Sequence, residues 1–251
     1  MLLRSLIQAF STYSAIPAPE TKWDEDSMKY ALAFFPLVGA VIGAAEYGAY
    51  LLLVYLNSGA LLTAAVLTAL PLFLTGGIHM DGFLDACDAL HSWRDREEKL
   101  RIMKDPHAGA FAVISCGIYL ILYLGGASEA GLLEMRVFCA SFGLTRALSA
   151  AAALTIPKAR TDGMLRAETD ASDKKALYAV LPEGLLFAAL MLLADPARGG
   201  AALGAAAAAF CLYRRTALRT FGGTTGDLAG WFVQLAELAV LLTAVCCGLL
   251  L

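Results

Sequence analysis

Residues 60–92, ALLTAAVLTALPLFLTGGIHMDGFLDACDALHS, decide the fold class because an apolar run in them leads directly into an acidic one. The fifteen residues from Ala60 to Leu74 carry no charge, whereas Asp81, Asp85 and Asp88 follow within eight positions. An uncharged run is typical of a helix in hydrocarbon. Three acids beside it indicate a polar functional site near one end of that helix.

The whole chain has the composition of a membrane protein. Of its 251 residues 59% are hydrophobic and 16% are charged, whereas a soluble domain has about 25% charged residues. The mean hydropathy is +0.66. The net charge of −3 and the lack of a basic stripe with interleaved aromatic residues exclude nucleic acid as a partner. We therefore expect an integral membrane protein surrounded by lipid.

Seven apolar segments are long enough, or nearly so, to cross about 30 Å of hydrocarbon as helices. Two of them are marginal, since 60–75 is short and 199–213 is rich in alanine. The segment before Pro17 is predicted to be an amphipathic surface helix. The sequence thus predicts one all-α membrane domain over residues 1–251, a polytopic helical bundle. The bundle is predicted to cross the membrane about seven times, at 31–56, 60–75, 110–125, 137–156, 176–194, 199–213 and 229–251.

The distribution of lysine and arginine predicts the orientation, because these residues concentrate in cytoplasmic connections. If the N-terminus is cytoplasmic, sixteen of the nineteen lie on the inner side, Arg136 and Arg198 lie outside, and Arg146 lies within the fourth span. This orientation places the acidic segment 76–109 and the Gly-rich loop 214–228 on the same cytoplasmic face. The inner set is Arg4, Lys22, Lys29, Arg94, Arg96, Lys99, Arg101, Lys104, Lys158, Arg160, Arg166, Lys174, Lys175, Arg214, Arg215 and Arg219.

The three aspartates are predicted to be catalytic residues and metal ligands. Positions 81, 85 and 88 are related as i, i+4 and i+7, which puts them on one face of a helix. Like charges on one stripe repel, so a cation is expected among them, and ligands that are all oxygen favour Mg²⁺ or Mn²⁺ over zinc. Mg²⁺ usually completes its shell with water and substrate phosphates, which indicates phosphoryl or diphosphate transfer. A solvated acidic stripe at a helix end is the alternative interpretation.

The segment IMKDPHAGAF, residues 102–111, supplies two further predicted substrate ligands, Lys104 and Asp105. Gly109 opens the third span, so free N–H groups at that helix end can face a phosphate. The alternative is an ordinary charged helix terminus.

The segment RTFGGTTGDLAG, residues 219–230, lies at the mouth of the last span. Loops of this composition let backbone N–H groups approach a diphosphate. Arg219, Gly222, Gly223 and Asp227 are therefore predicted to bind substrate, and a flexible interhelical turn is the alternative.

Ionisable residues inside the apolar spans are functional candidates because charge is unfavourable there. Arg146 and Glu237 are predicted substrate ligands and Glu46 a further candidate, although pairing that only holds the bundle together explains them equally well. Among the histidines, His79 is the preferred general base for an attacking hydroxyl, because it stands beside Asp81.

Five segments, in order and over nearly the whole chain, resemble the cobalamin synthase family, adenosylcobinamide-GDP ribazoletransferase. The aspartate motif and the Gly-Gly-x-Thr-Gly-Asp motif are specific in combination, whereas either one by itself is not. The segments are FSTYSAIPAP, FFPLVGAVIG, TGGIHMDGFLDACDALHS, IMKDPHAGAF and RTFGGTTGDLAGWFVQLAELAVLL.

The resemblance implies an enzyme of the bacterial inner membrane with its active site on the cytoplasmic face. It implies that Mg²⁺ is the cofactor and that adenosylcobinamide-GDP is joined to α-ribazole, or to its 5′-phosphate, with release of GMP. A second copy of the chain or other late cobalamin enzymes are the expected protein partners.

By the same resemblance, Asp81, Asp85 and Asp88 occupy the acidic motif, with His79 and Gly82 beside them. Trp231 stands where a small residue is usual, and neither Glu46 nor His107 is expected of the family, which puts a catalytic role for those two in doubt. The other matching positions are Lys104, Asp105, Gly109, Arg146, Arg219, Gly222, Gly223, Gly226, Asp227 and Glu237.

Two other functions share part of this pattern. A membrane prenyltransferase would bind polyprenyl diphosphate through an Asp-rich Mg²⁺ site, and a second motif of the DxxxD type would favour it, but the later region has the single Asp227. A transporter would use Glu46, Arg146 and Glu237 as a pathway at the membrane midplane and would be favoured by an inverted repeat. No such repeat is detected in the sequence.

Overall fold

The structure is a computed structural model that describes residues 1–19, 24–173 and 175–251. Lys22 and Lys174, two of the basic residues assigned to the cytoplasmic side, lie outside the described residues. The described parts are helical, as the sequence predicts, with one isolated backbone bridge between Lys158 and Thr224. The helices are α1 (Leu2–Tyr13), α2 (Glu25–Met28), α3 (Phe35–Tyr55), α4 (Ala60–Thr75), α5 (Ile78–His91), α6 (Arg96–Ile102), α7 (Ala110–Glu129), α8 (Leu132–Thr155), α9 (Met164–Ala171), α10 (Ala176–Ala194), α11 (Pro196–Thr216) and α12 (Gly226–Leu250).

Among the described residues, five helical segments are long and apolar enough to cross a membrane, and the bent pair α4–α5 raises the number to six if it is one span. Each of the seven predicted spans is a helix, but only five or six of them meet the requirements for crossing a membrane, compared with the predicted number of about seven. The two marginal segments account for the difference, because α4 has only 16 residues and α11 is rich in alanine and glycine. The five segments are Asp26–Tyr55, Ala110–Glu129, Leu132–Thr155, Ala176–Ala194 and Gly226–Leu250.

Helix α8 lies at the centre of the bundle. Its most apolar stretch is 78% buried, and it packs against α3, α10 and α12. The GxxxG spacing of Gly39 and Gly43 predicts a close helix contact, and a Cβ at either position would collide with backbone carbonyls of α8. The second such pair, Gly200 and Gly204, has no neighbour within 4 Å. Only the first pair therefore brings two helices together.

A sharp bend of 94° separates α4 from α5. Gly76 and Gly77 make it with φ angles of 62° and 77°, in the left-handed region that glycine adopts most easily. At the other end of α5, Lys99 donates from Nζ to the carbonyls of Ala89 and Leu90, at 2.8 and 3.0 Å. The 14-residue α5 is too short to cross the bilayer by itself, and it packs instead against α7 and α12.

The predicted surface helix before Pro17 is α1, which ends at Tyr13. Leu2 and Leu3 on its outer side are exposed, as is typical of a helix that lies in the membrane interface. Tyr13 at its C-terminal end is buried. Helix α1 thus buries one face, which ends at Tyr13 near the start of α5.

Candidate active site

Two glycines determine how closely α5 crosses α12. A Cβ on Gly82 would lie 2.8 Å from the backbone of Asp227, and one on Gly230 would lie 2.9 Å from the carbonyl oxygen of His79. Any larger residue at either position would push the helices apart. The crossing therefore places the acidic face of α5 beside the first turn of α12, although the two lie far apart in sequence.

The carboxylates at this crossing repel one another. Asp81 and Asp227 line the same cavity, and Asp85 follows one turn after Asp81. Burial and the nearby charges of Asp81, Asp227 and Asp88 raise the pKa of Asp85 to about 7, while Arg160 opposes that rise. Such repulsion favours either a bound proton or a bound cation.

Arg160 is the basic residue that approaches these carboxylates. Its Nη1 donates to Oδ2 of Asp227 at 3.2 Å, and its Nη2 donates to the carbonyl of Leu100 at 2.7 Å. Its Nε is buried and has no partner among the described residues. From the sequence, Arg160 is only one of the positive charges of a loop. No local sequence pattern predicts its contact with Asp227, which lies 67 positions later.

The loop after α8 pairs with the predicted Gly-rich loop. Thr224 N–H donates to the carbonyl of Pro157 at 2.8 Å, and Ala159 N–H donates to the carbonyl of Thr224 at 2.9 Å. A Cβ on Gly223 would lie 2.5 Å from the backbone nitrogen of Ala159, and Gly222 has a φ of 71°. Gly223 thus serves the contact between the two loops, and Gly222 lies against the Arg96 side chain, whereas the sequence predicts that both bind substrate.

Thr225, and not Asp227, caps α12. Its hydroxyl oxygen accepts the N–H of Leu228 at 3.2 Å. The carboxylate of Asp227 is therefore left to face Arg160 and the cavity.

Asp88 uses both of its oxygens inside the protein. They accept the N–H groups of Gly109 and Ala112, at 2.5 and 2.8 Å, which are free donors in the first turn of α7. The Gly109 N–H that was predicted to face a phosphate is thus already bonded. The geometry makes Asp88 a connection between α5 and α7, away from Asp81 and the cavity.

The other predicted cytoplasmic residues lie at or beyond the cavity rim. Lys104 is exposed and donates to Asp162 at 2.7 Å, and Asp162 lines the cavity. Asp105 accepts the N–H of His107 at 3.0 Å in an exposed turn. Arg219 is exposed on a π-helical turn, and neither Asp105 nor Arg219 is among the cavity-lining residues of the described chain.

Arg146 and Glu237 form an ion pair inside the bundle. Nη1 of Arg146 donates to Oε1 of Glu237, and the two side chains are 1% and 2% exposed. Nη1 also donates to the carbonyl of Phe142 at 3.1 Å. Neither residue lines the cavity. The geometry therefore favours a structural ion pair that stabilises the bundle, and not the predicted contact with substrate.

A cavity of about 280 Å³ opens beside the α5–α12 crossing. It is at the lower end of the volumes of small-molecule sites. His79 lines it, is 4% exposed and has an Nε2 with no hydrogen-bond partner among the described residues. Lys158, Arg160 and Arg166 also line the cavity and bring positive charge to it, together with Asp81 and Asp227.

Tyr13 and Glu168 form a buried pair in the cavity wall. The Tyr13 hydroxyl donates to Oε2 of Glu168 at 2.5 Å, and burial with the adjacent carboxylate raises the pKa of Tyr13 well above its usual value. Burial raises the pKa of Glu168 to about 7, against the effect of the Tyr13 hydrogen bond. No sequence pattern indicates this pair, because its members are 155 positions apart on two helices outside the spans.

A family model described as Cobalamin-5-phosphate synthase matches residues 5–245. The chain belongs to this family. It is 40% identical over 237 residues to the adenosylcobinamide-GDP ribazoletransferase of Lachnoclostridium phytofermentans, covering 94% of this chain and 91% of the relative. The protein of that name from Clostridium botulinum (strain Alaska E43) is 32% identical over 249 residues, with 97% of both chains covered.

The Desulfitobacterium hafniense protein of the same name is 36% identical to this chain over 243 residues, covering 94% of this chain and 93% of the relative. This family member is therefore a transferase of cobalamin biosynthesis, and its helices make it an integral membrane protein. No solved structure matches the chain.

Proposed function

We propose that the protein transfers the adenosylcobinamide-phosphate group of adenosylcobinamide-GDP to α-ribazole, or to its 5′-phosphate, and releases GMP. The product is adenosylcobalamin or its 5′-phosphate. The observation that carries the proposal is the α5–α12 crossing, which puts Asp81 beside Asp227 and Arg160 at one cavity. The identity of the proposed substrate is inferred from the names of the relatives.

The donor set at the crossing fits Mg²⁺. It consists of carboxylates that repel one another, with one arginine against them. Among the described residues, no group of three or more His, Cys, Asp or Glu side chains could hold a metal ion. Mg²⁺ is usually held by one or two carboxylates together with substrate phosphates, so a complete protein cage is not needed.

Asp81 and Asp227, which both line the cavity, are the proposed Mg²⁺ ligands, and Asp85 adds negative charge one turn away. Asp88 is assigned a positioning role instead, because both its oxygens are engaged by α7. When bound, Mg²⁺ would neutralise charge on the diphosphate.

His79 is the proposed general base. Its buried, unpartnered Nε2 in the cavity wall is placed to accept the proton of a ribazole hydroxyl. The hydroxyl oxygen forms a bond to the phosphorus that carries the cobinamide arm, while the bond from that phosphorus to the oxygen of GMP breaks. GMP takes the electron pair of the broken bond.

Arg160 and Arg166 are the cations proposed to stabilise the leaving phosphate, in place of Lys104 and Arg219, which the sequence predicts for the phosphate. Both line the cavity, and Nε of Arg160 is a buried donor without a partner among the described residues. Positioned charges of this kind supply most of the catalysis in phosphoryl transfer.

The corrinoid is proposed to lie outside the cavity, because a cavity of about 280 Å³ is too small for the macrocycle and its side chains. The nucleotide end of the substrate would enter it. We propose further that this site faces the cytoplasm from the inner membrane, as the distribution of lysine and arginine predicts.

The test is an assay of the purified full chain in detergent with adenosylcobinamide-GDP, α-ribazole and Mg²⁺. We expect GMP and adenosylcobalamin in equal amounts, and no release of GMP when either α-ribazole or Mg²⁺ is omitted. GMP release that does not depend on α-ribazole would make the protein a hydrolase. Turnover that is complete in the presence of a chelator would exclude the metal.

A further inference from the structure

The Tyr13–Glu168 pair is a built polar feature that the proposed reaction does not use. Glu168 is 1% exposed and lines the cavity, and its Oε2 is engaged by Tyr13. Its Oε1 is buried and has no hydrogen-bond partner among the described residues. A buried carboxylate oxygen without a donor is unfavourable, so this one indicates a donor supplied by a ligand.

The surroundings of Glu168 limit the kind of ligand. Tyr13 and Phe35 are cavity residues with ring centroids 4.2 Å apart, and Leu32 and Leu165 add further apolar surface. An apolar and aromatic wall with one acceptor fits a flat heterocycle that presents N–H groups along an edge. Phosphate and sugar groups fit the charged wall at Arg160 better.

Resting on the proposed function, we propose that Glu168 binds the guanine of adenosylcobinamide-GDP through the N1–H and 2-amino groups of the base. Guanine is the only ring system of the two nucleoside-like substrates that has such donors. The benzimidazole of α-ribazole carries its sugar on one ring nitrogen and only a lone pair on the other. Glu168 is thus the specificity-determining residue for the nucleotide, and Tyr13 holds its carboxylate in place.

The protonation of Glu168 agrees with this assignment. Burial raises its pKa to about 7. An N–H donor from the base favours the ionised carboxylate, because it replaces the missing hydration.

The experiment measures binding of GMP, IMP and AMP to the full chain in detergent, with Mg²⁺ present and no corrinoid. GMP offers both donors, IMP lacks the 2-amino group, and AMP offers a ring acceptor in place of N1–H. We expect affinity in the order GMP, IMP, AMP, with GMP bound about tenfold or more tighter than AMP, the effect of one hydrogen bond to a charged group. Equal binding of all three by the unaltered protein would overturn the proposal.

Glu168→Gln is the matched variant, since the amide oxygen can still accept from Tyr13 while the amide NH₂ faces the cavity. That NH₂ opposes the donors of guanine and suits the acceptor of adenine, so the GMP preference should disappear or reverse. Glu129→Gln, the same exchange on the exposed end of α7, is the control and should keep the preference. An unchanged GMP preference in Glu168→Gln would also overturn the proposal.

This measurement separates the subsite from the reaction. If GMP discrimination depends on Glu168 but adenosylcobinamide-GDP is not turned over, the subsite stands and the proposed function fails. If turnover occurs and Glu168→Gln still prefers GMP, the function stands and the subsite fails.

Discussion

At the scale of a residue, the role of Asp88 in the acidic motif can be tested, because it either binds metal or connects α5 to α7. Its oxygens accept the N–H groups of Gly109 and Ala112. Asp88→Asn turns an NH₂ group toward one of those donors. We therefore expect the free energy of unfolding in detergent to fall by about 1–3 kcal/mol. The Mg²⁺ concentration for half-maximal turnover should stay the same. Normal stability with an increased Mg²⁺ requirement would make Asp88 a ligand after all.

The Arg146–Glu237 pair gives a second residue-scale prediction. Removing one partner leaves a buried charge, so Arg146→Met or Glu237→Leu alone should destabilise the protein by about 3–5 kcal/mol. The double variant should be more stable than either single one, because no unpaired charge remains. Thermal unfolding of the three variants in one detergent measures this. A double variant that is stable but no longer binds substrate would show that the pair contacts substrate.

At the residue scale, a periodic signal is what the sequence can supply. The spacing of Asp81 and Asp85 predicts one helical face, and both residues lie on helix α5. Their role in a site shared with Asp227 stays a prediction. Arg160 and Glu168 could not be found in this way, because each reaches the cavity through contacts with residues far away in sequence.

The α5–α12 crossing is the element on which the site depends. Gly82→Ala puts a methyl group 2.8 Å from the backbone of Asp227, which should separate the helices at a cost of about 1–3 kcal/mol in stability and reduce turnover. Gly117→Ala is the control, since Gly117 has nothing within 4 Å, and it should be neutral or slightly stabilising. Unfolding and turnover are measured side by side. Full activity in Gly82→Ala would show that close contact here is not required.

Helices could be predicted well at this scale because an apolar run of sufficient length has few alternatives in a membrane. Every predicted span is a helix, and α1 also ends before Pro17 as expected. The number of crossings was less predictable, because α4 is short and α5 turns away from it by 94°. A bend of that size depends on the φ angles of Gly76 and Gly77, which composition does not reveal.

The orientation of the whole molecule remains a prediction from its charge distribution. We replace the six native cysteines and introduce Glu129→Cys, at the end of α7, or Arg94→Cys, between α5 and α6, both at exposed positions. An impermeant thiol reagent added outside intact cells should label the first and not the second. The reverse labelling would place the candidate active site on the outer face.

At the scale of the whole molecule, the proposed Mg²⁺ site for phosphoryl transfer joins distant parts of the chain, Asp81 on α5 and Asp227 on α12. The most direct measurement is a Mg²⁺ titration of GMP release by Asp227→Asn, with Asp81→Asn and the control Glu129→Gln in parallel. We predict that both aspartate variants remain folded and need about tenfold or more Mg²⁺ for half-maximal turnover, while the control matches the unaltered protein. An unchanged Mg²⁺ requirement in Asp227→Asn would contradict the account.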